Sequence, residues 1–344
     1  MKSIAFFNNK GGVGKTSLVY HLGWMFAELG YRVLLVDLDP QANLTNMCIS
    51  SDMIDENEEN WSKITNKGIY HAVRPLIEQG ISDITEIDPI KFDQENNLYL
   101  IPGDLELSKI EDQLSREWTE TLSSHKNERA FRVSSAFYRV IQNTASNISA
   151  DLVLIDIGPN LGAINRCALI GADYVITPMA PDLFSMIGLK NLGPSLREWR
   201  IEWKDRLSRK PENTDFSIPP GNMEPLGYVI SRHSVRAERP VRSFQKWIAR
   251  IPDTYAKTVL EQNTPNFTFS PDDKIIDPNC LGTIKDYLSL MAMAHEARKP
   301  VFNLKTGDGA IGSHQAAVTD CRKAFKELAL EIARRINLPP KLDL

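Results

Sequence analysis

Residues 8–17 read NNKGGVGKTS, directly after the apolar run Ile4, Ala5, Phe6 and Phe7. A glycine-rich turn between a buried strand and a helix lets backbone N–H groups converge on an anion, and the helix N-terminus adds partial positive charge. Spacing selects the kind of cradle. A dinucleotide turn needs a third glycine where Ser17 stands, and the common eight-residue phosphate loop needs glycine where Asn9 stands. The pattern that fits is Lys-Gly-Gly-x-Gly-Lys-Thr, filled by Lys10, Gly11, Gly12, Val13, Gly14, Lys15 and Thr16. In such a loop Lys15 reaches the β and γ phosphates of a nucleotide and the Thr16 hydroxyl ligates Mg²⁺. Three carboxylates extend the chemistry. Asp37 and Asp39 follow a second apolar run in RVLLVDLDP, and Asp156 ends DLVLID. Acids at the carboxyl ends of strands in an open parallel sheet lie where ligands bind. Asp156 suits a Mg²⁺ shell, and Asp39, turned by Pro40, suits orientation of an attacking water.

These residues need elements to carry them. Strand 2–8, a helix from Thr16 to Leu29 closed by Gly30, and the strand ending at Asp37 make a right-handed βαβ unit and so a parallel sheet. Further strands are predicted in NLYLIPGD, DLVLIDIGP, DYVITPMAP and LGYVIS. Helices are predicted in GIYHAVRPLI, through most of 105–148, from about Gly162, over 185–207 and over 315–336. The acidic stretch SSDMIDENEEN reads as a solvated loop and GDGAIGSH as a turn. The fold class expected is α/β: a doubly wound, mostly parallel sheet flanked by helices. One domain over 1–344 is expected, with an inserted, partly helical region at about 46–150 and a C-terminal helical segment at about 285–338.

Composition sets bounds on function. Over 344 residues, 42% apolar and 24% charged content match an ordinary globular protein. A net charge of −4 restricts any nucleic-acid contact to a local patch. Cys48, Cys167, Cys280 and Cys321 form no Cys-x-x-Cys pair, so neither a zinc site nor a disulfide framework is indicated, and a reducing cytoplasm is expected. No apolar run approaches a membrane span.

The motifs KGGVGKTS, VDLDPQANLT, GIYHAV, NLYLIPGDLELSKIE, DLVLIDIGPNLGAINRCAL and TPMAPDLFSMIGLKNL together resemble the ParA/MinD group of deviant Walker A ATPases, most of all its ParA (Soj) branch. The resemblance implies ATP and Mg²⁺ as cofactors and a homodimer that sandwiches ATP, in which Lys10 reaches the partner's nucleotide. It assigns residues 10–17, with Ser17 at their end, to the nucleotide, and Lys10, Lys15 and Asp39 to catalysis. Thr16, Asp39 and Asp156 fall around the metal, with Asp37 supporting them. Departures from the pattern are Asn9 for glutamine, Ser17 for threonine, DPQAN for DPQGN and DIGP for DCPP. The branch also implies a ParB-like activator and non-specific DNA binding in the partition of plasmid or chromosomal DNA, hence a nucleoid-associated location.

For DNA, SRHSVRAERPVRSFQKWIARI offers Arg236, Arg239, Arg242, Lys246 and Arg250, while acids interrupt LREWRIEWKDRLSRK. The loop after GYVIS, including Arg232, is the expected adenine neighbourhood. The alternatives are the same ATPase core acting on a non-DNA cargo or a defence-type partner, and a MinD-like membrane switch using the stripe Phe325, Leu328 and Ile332.

Overall fold

The computed structural model describes residues 1–49, 63–80, 83–93, 97–123, 127–233, 235–236, 239–240, 246–262, 268–269 and 275–341. Its frame is a sheet of eight strands: β1 (Lys2–Phe6), β2 (Val33–Asp37), β3 (Ile90–Asp93), β4 (Leu98–Ile101), β5 (Leu152–Asp156), β6 (Tyr174–Met179), β7 (Glu224–His233) and, last in the chain, β12 (Cys280–Lys285). The order is β12-β7-β6-β1-β5-β2-β4-β3, and every pairing is parallel except β3 against β4. Two two-stranded ladders stand apart: β8 (Val235–Arg236) with β9 (Arg239–Pro240), and β10 (Thr268–Phe269) with β11 (Ile275–Ile276). The central strands are buried on both faces and read as unbroken apolar runs for that reason.

Helices cover both sides. One face carries α1 (Lys15–Glu28), α2 (Asn43–Cys48), α10 (Ser289–Glu296) and α11 (Ser313–Arg335). The other carries α3 (Ile69–Arg74), α4 (Glu111–Glu120), α5 (Glu128–Ser134), α6 (Ala136–Asn147), α7 (Ala163–Ile170), α8 (Leu183–Ser208) and α9 (Ile251–Thr258). α1 ends as its sequence requires: Gly30 is left-handed (φ 88°), and its N–H and that of Tyr31 close on Ala27 and Phe26 carbonyls.

The expected strands and long helices stand within a few residues of their predicted limits. Within region 46–150, α3 to α6 accompany β4 and β3, which extend the central sheet beyond β2. β12, which no sequence pattern announced, completes the opposite edge. The stripe Phe325, Leu328 and Ile332 is buried at 3%, 2% and 0% exposure against that sheet, so it is core and not a membrane face. No helix among the described residues is long and apolar enough to cross a membrane. The acidic loop read in SSDMIDENEEN lies outside the described residues.

Candidate functional site

Strand register places the acids before any side chain is considered. Phe6 of β1 pairs with Asp156 of β5, and Asp156 pairs with Asp37 of β2, so the phosphate-loop candidate and two carboxylates leave the sheet side by side at its carboxyl edge.

The loop from Asn8 to Gly14 is shaped by its glycines and by Asn8. Gly12 and Gly14 adopt φ 73° and 84°, the left-handed region that lets consecutive N–H groups turn inward, and Gly14 caps α1. The Asn8 amide donates to the Pro178 carbonyl at 2.7 Å, and its oxygen accepts from Lys10 N–H at 3.0 Å, pinning the loop to β6. α8 crosses close to this point at Gly188. A Cβ there would fall 2.4 Å from the Asn9 side-chain oxygen, so any larger residue would have to displace that side chain.

Lys15 is 7% exposed, and its ammonium donates to the Asn8 carbonyl at 3.3 Å. Burial pulls its pKa below the usual lysine range, against the opposing pull of Asp156 and Asp39. Asp37 is fully buried; burial pushes it up to about 6, although Thr45 donates to it through both N–H (2.8 Å) and hydroxyl (2.7 Å). Its other oxygen accepts from Asp39 N–H at 3.2 Å, which sets the turn that presents Asp39. Asp39 in turn accepts from Gln41 N–H at 3.0 Å. Asp156 is held well above the carboxylate range by burial and by Asp37, with Thr16 and Lys15 pulling the other way. Neither of its oxygens has a hydrogen-bond partner of full geometry. A fully buried carboxylate without a donor is costly unless a cation answers it. With a hydroxyl at Thr16 and a third acid at Asp39, the oxygen donor set suits Mg²⁺.

A cavity of about 390 Å³ opens here, lined by Gly11, Lys15, Thr16, Asp39 and Pro159 among others. A second, of about 340 Å³, adjoins it across Gly14 and Ser17, with His21, Ser231, Tyr287 and Phe325 in its walls. The structure therefore brings together residues 10–17, Asp39, Asp156 and Asp37. Arg232 follows Ser231, a wall of the second cavity, in β7, and its side chain lies outside the described detail.

Lys10 does not project freely. Its ammonium is ion-paired with Asp182, whose other oxygen caps α8 by accepting from Ser185 N–H at 2.9 Å. Burial raises the Asp182 carboxyl, but Lys10 and the Ser185 N–H outweigh it and hold the group below its ordinary range. Asp182 was legible only as a helix cap in APDLF; that it would meet Lys10, 172 residues away, required the fold.

The expected DNA residues are more dispersed. Arg236 and Arg239 pair across the β8–β9 ladder, Lys246 and Arg250 are exposed beside Trp247, and Arg242 lies outside the described residues. In the other basic run three of the charges are paired: Arg206 with Glu202, Arg209 with Asp205 and Arg197 with Glu261.

Residues 1–208 match the family described as an AAA domain. The chain is a ParA/Soj-like P-loop ATPase. It is 29% identical to the sporulation initiation inhibitor protein Soj of Bacillus subtilis, over 76% of this chain and 85% of that one. It is 28% identical to the chromosome partitioning protein ParA of Caulobacter vibrioides, over 60% of this chain and 66% of the other. Among solved structures, protein DIP2308 of Corynebacterium diphtheriae shares the fold with a TM-score of 0.70 at 23% identity, covering 98% of this chain and 99% of its own. A plasmid partition protein of Borrelia burgdorferi, crystallised with AMPPNP, does so at 0.57 and 20% identity, over 97% and 99%.

Proposed function

We propose that this ParA/Soj-like ATPase is an ATP-operated dimerisation switch that holds DNA non-specifically and acts in DNA partition or positioning. The observation that carries the reading is the convergence of Lys15, Thr16 and Asp39 on one cavity beneath a glycine-rich loop, with the buried Asp156 interacting with all three. The backbone of residues 11–16 and the Lys15 ammonium bind the phosphates, while the adjoining cavity bounded by Ser17, His21 and Ser231 takes the base. Thr16 and Asp156, with Asp39 beside them, hold Mg²⁺, which when bound offsets charge on the transferred phosphoryl group. Asp39, fixed by Asp37, orients the attacking water.

Dimerisation has its own support. Leu105 after β4, Leu161 after β5, and Leu183, Phe184 and Ile187 after β6 are all exposed at the edge that carries the phosphate loop. An apolar fringe around a nucleotide cavity suits closure of a second copy over it. Lys10 sits at that edge and, in the dimer, leaves Asp182 for the partner's nucleotide. DNA then meets the basic run that includes Arg236, Arg239, Arg242, Lys246 and Arg250. Hydrolysis, slow until a ParB-like activator binds, reopens the dimer. Such a cycle belongs in the cytoplasm on the nucleoid.

The decisive measurement is calorimetry with Mg-ATP on the wild type and Lys15→Ala. Binding by the wild type and none by the variant is expected; equal affinity in both would remove the phosphate assignment. A protein that binds ATP and dimerises but ignores DNA would instead be moving another cargo.

A further inference from the structure

The C-terminal segment contributes to the nucleotide groove in a way that no motif announced. α10 lies along both cavities: Leu288, just before it, and Met291 line the base-side cavity, and His295 lines the phosphate-side cavity opposite Lys15 and Thr16. These positions are spaced i, i+3 and i+7, which is one face of a helix. The face is anchored just past its C-terminal end. Beyond the helix the Arg298 guanidinium donates to the Asn46 carbonyl at the end of α2, and Val301 N–H donates to His21 Nε2 at 3.1 Å. That bond fixes the His21 tautomer, with Nδ1–H donating to the Ser17 carbonyl at 2.7 Å, so the groove wall and α1 move as one piece. His21 is fully buried, and burial lowers it to about 4, so it stays neutral in this role.

Resting on the nucleotide reading above, we infer that His295 is a further phosphate-binding residue, supplied in cis by a helix that walls the groove from base to phosphates. An imidazole carries an N–H donor in every tautomer, and an anionic oxygen is the partner the cavity offers it. His295 is exposed and lines the cavity, and its ring has no protein partner among the described residues. Met291, four residues earlier, would touch the base and not the phosphates.

The test compares wild type, His295→Ala, His295→Gln and Met291→Ala, with thermal melts confirming that each folds. Competition against a fluorescent ATP analogue gives the affinities for Mg-ATP and for adenosine. His295→Ala is expected to weaken ATP roughly threefold to tenfold and leave adenosine unchanged, because a charge-assisted hydrogen bond is lost at the phosphates alone. His295→Gln, which keeps a donor, should recover part of the loss. Met291→Ala should weaken both ligands alike. ATP affinity in His295→Ala equal to the wild type, or an equal loss for adenosine, overturns the inference and leaves the nucleotide reading standing. Failure of the wild type to bind the ATP analogue at all overturns that reading itself.

Discussion

Replacing Asp182 with asparagine isolates the contact that restrains Lys10. The variant keeps the helix cap, because the asparagine oxygen can still accept from Ser185 N–H, and loses only the charge that holds the ammonium. Both side chains are partly exposed, at 27% and 35%, so the pair is in the range of a surface ion pair, about 0.2–1 kcal/mol. A dimer must release two such pairs. Removing that cost favours association by about 0.4–2 kcal/mol, or roughly a twofold to thirtyfold tighter dimer. Sedimentation velocity over a concentration series with Mg-ATP reads this directly, in an Asp39→Ala background where turnover is expected to stop. The gain should shrink as salt is raised, since screening weakens the pair in the wild type. An unchanged or weaker dimer at low salt would show that Lys10 does not leave Asp182 on association.

Three further outcomes are expected. Asp37→Asn should become progressively more stable than the wild type as pH rises from about 4 to about 6. In that window the native Asp37 still holds a proton that the unfolded chain has released, so the wild type loses stability as pH rises, by at most about 3 kcal/mol. Urea titrations at pH 4, 5, 6 and 7 measure the gap, and a constant gap would rule out burial as the cause. Ala42→Gly should stabilise the protein by about 0.5–1 kcal/mol, because Ala42 sits at φ 51° where a side chain is strained; a lower unfolding free energy would contradict this. Changing Arg236, Arg239, Lys246 and Arg250 to glutamate should reduce retention on non-specific duplex and flatten its salt dependence, by about one unit of slope per lost phosphate contact, with ATPase activity retained. An unaltered gel shift would take DNA away from this surface.

Much of this site was legible because its parts are local. Strand, glycine turn and helix are contiguous at 2–28, and a carboxylate ending an apolar run marks a strand's carboxyl end wherever the strand falls in the sheet. The departure DPQAN was visible too, and the structure shows its cost at Ala42. What could not be read was juxtaposition. β12 is short, half-exposed and interrupted by Gly282, so its periodicity is weak, yet its end forms a wall of the base-side cavity. Asp182 and His295 look like an ordinary helix cap and an ordinary helical residue. They acquire meaning only because β6 and α10 reach the edge where β1 ends.

The carboxyl edge of the sheet gathers several departures from what stability alone would choose. The sheet and both helical layers follow local propensity and apolar pattern closely. At the carboxyl edge the rules break together. Asp156 is the buried carboxylate without a partner among the described residues, Asp37 is buried beside it, and Ala42 holds a left-handed backbone one turn away in sequence. Burial and mutual repulsion hold Asp156 and Asp37 above the ordinary carboxylate range, so ionising these acids is costly without a cation, next to a loop whose N–H groups attract anions. Those two features compete for any single ion. A cation paired with a polyphosphate satisfies both, the metal at the acids and the phosphates at the loop, so binding of each favours the other.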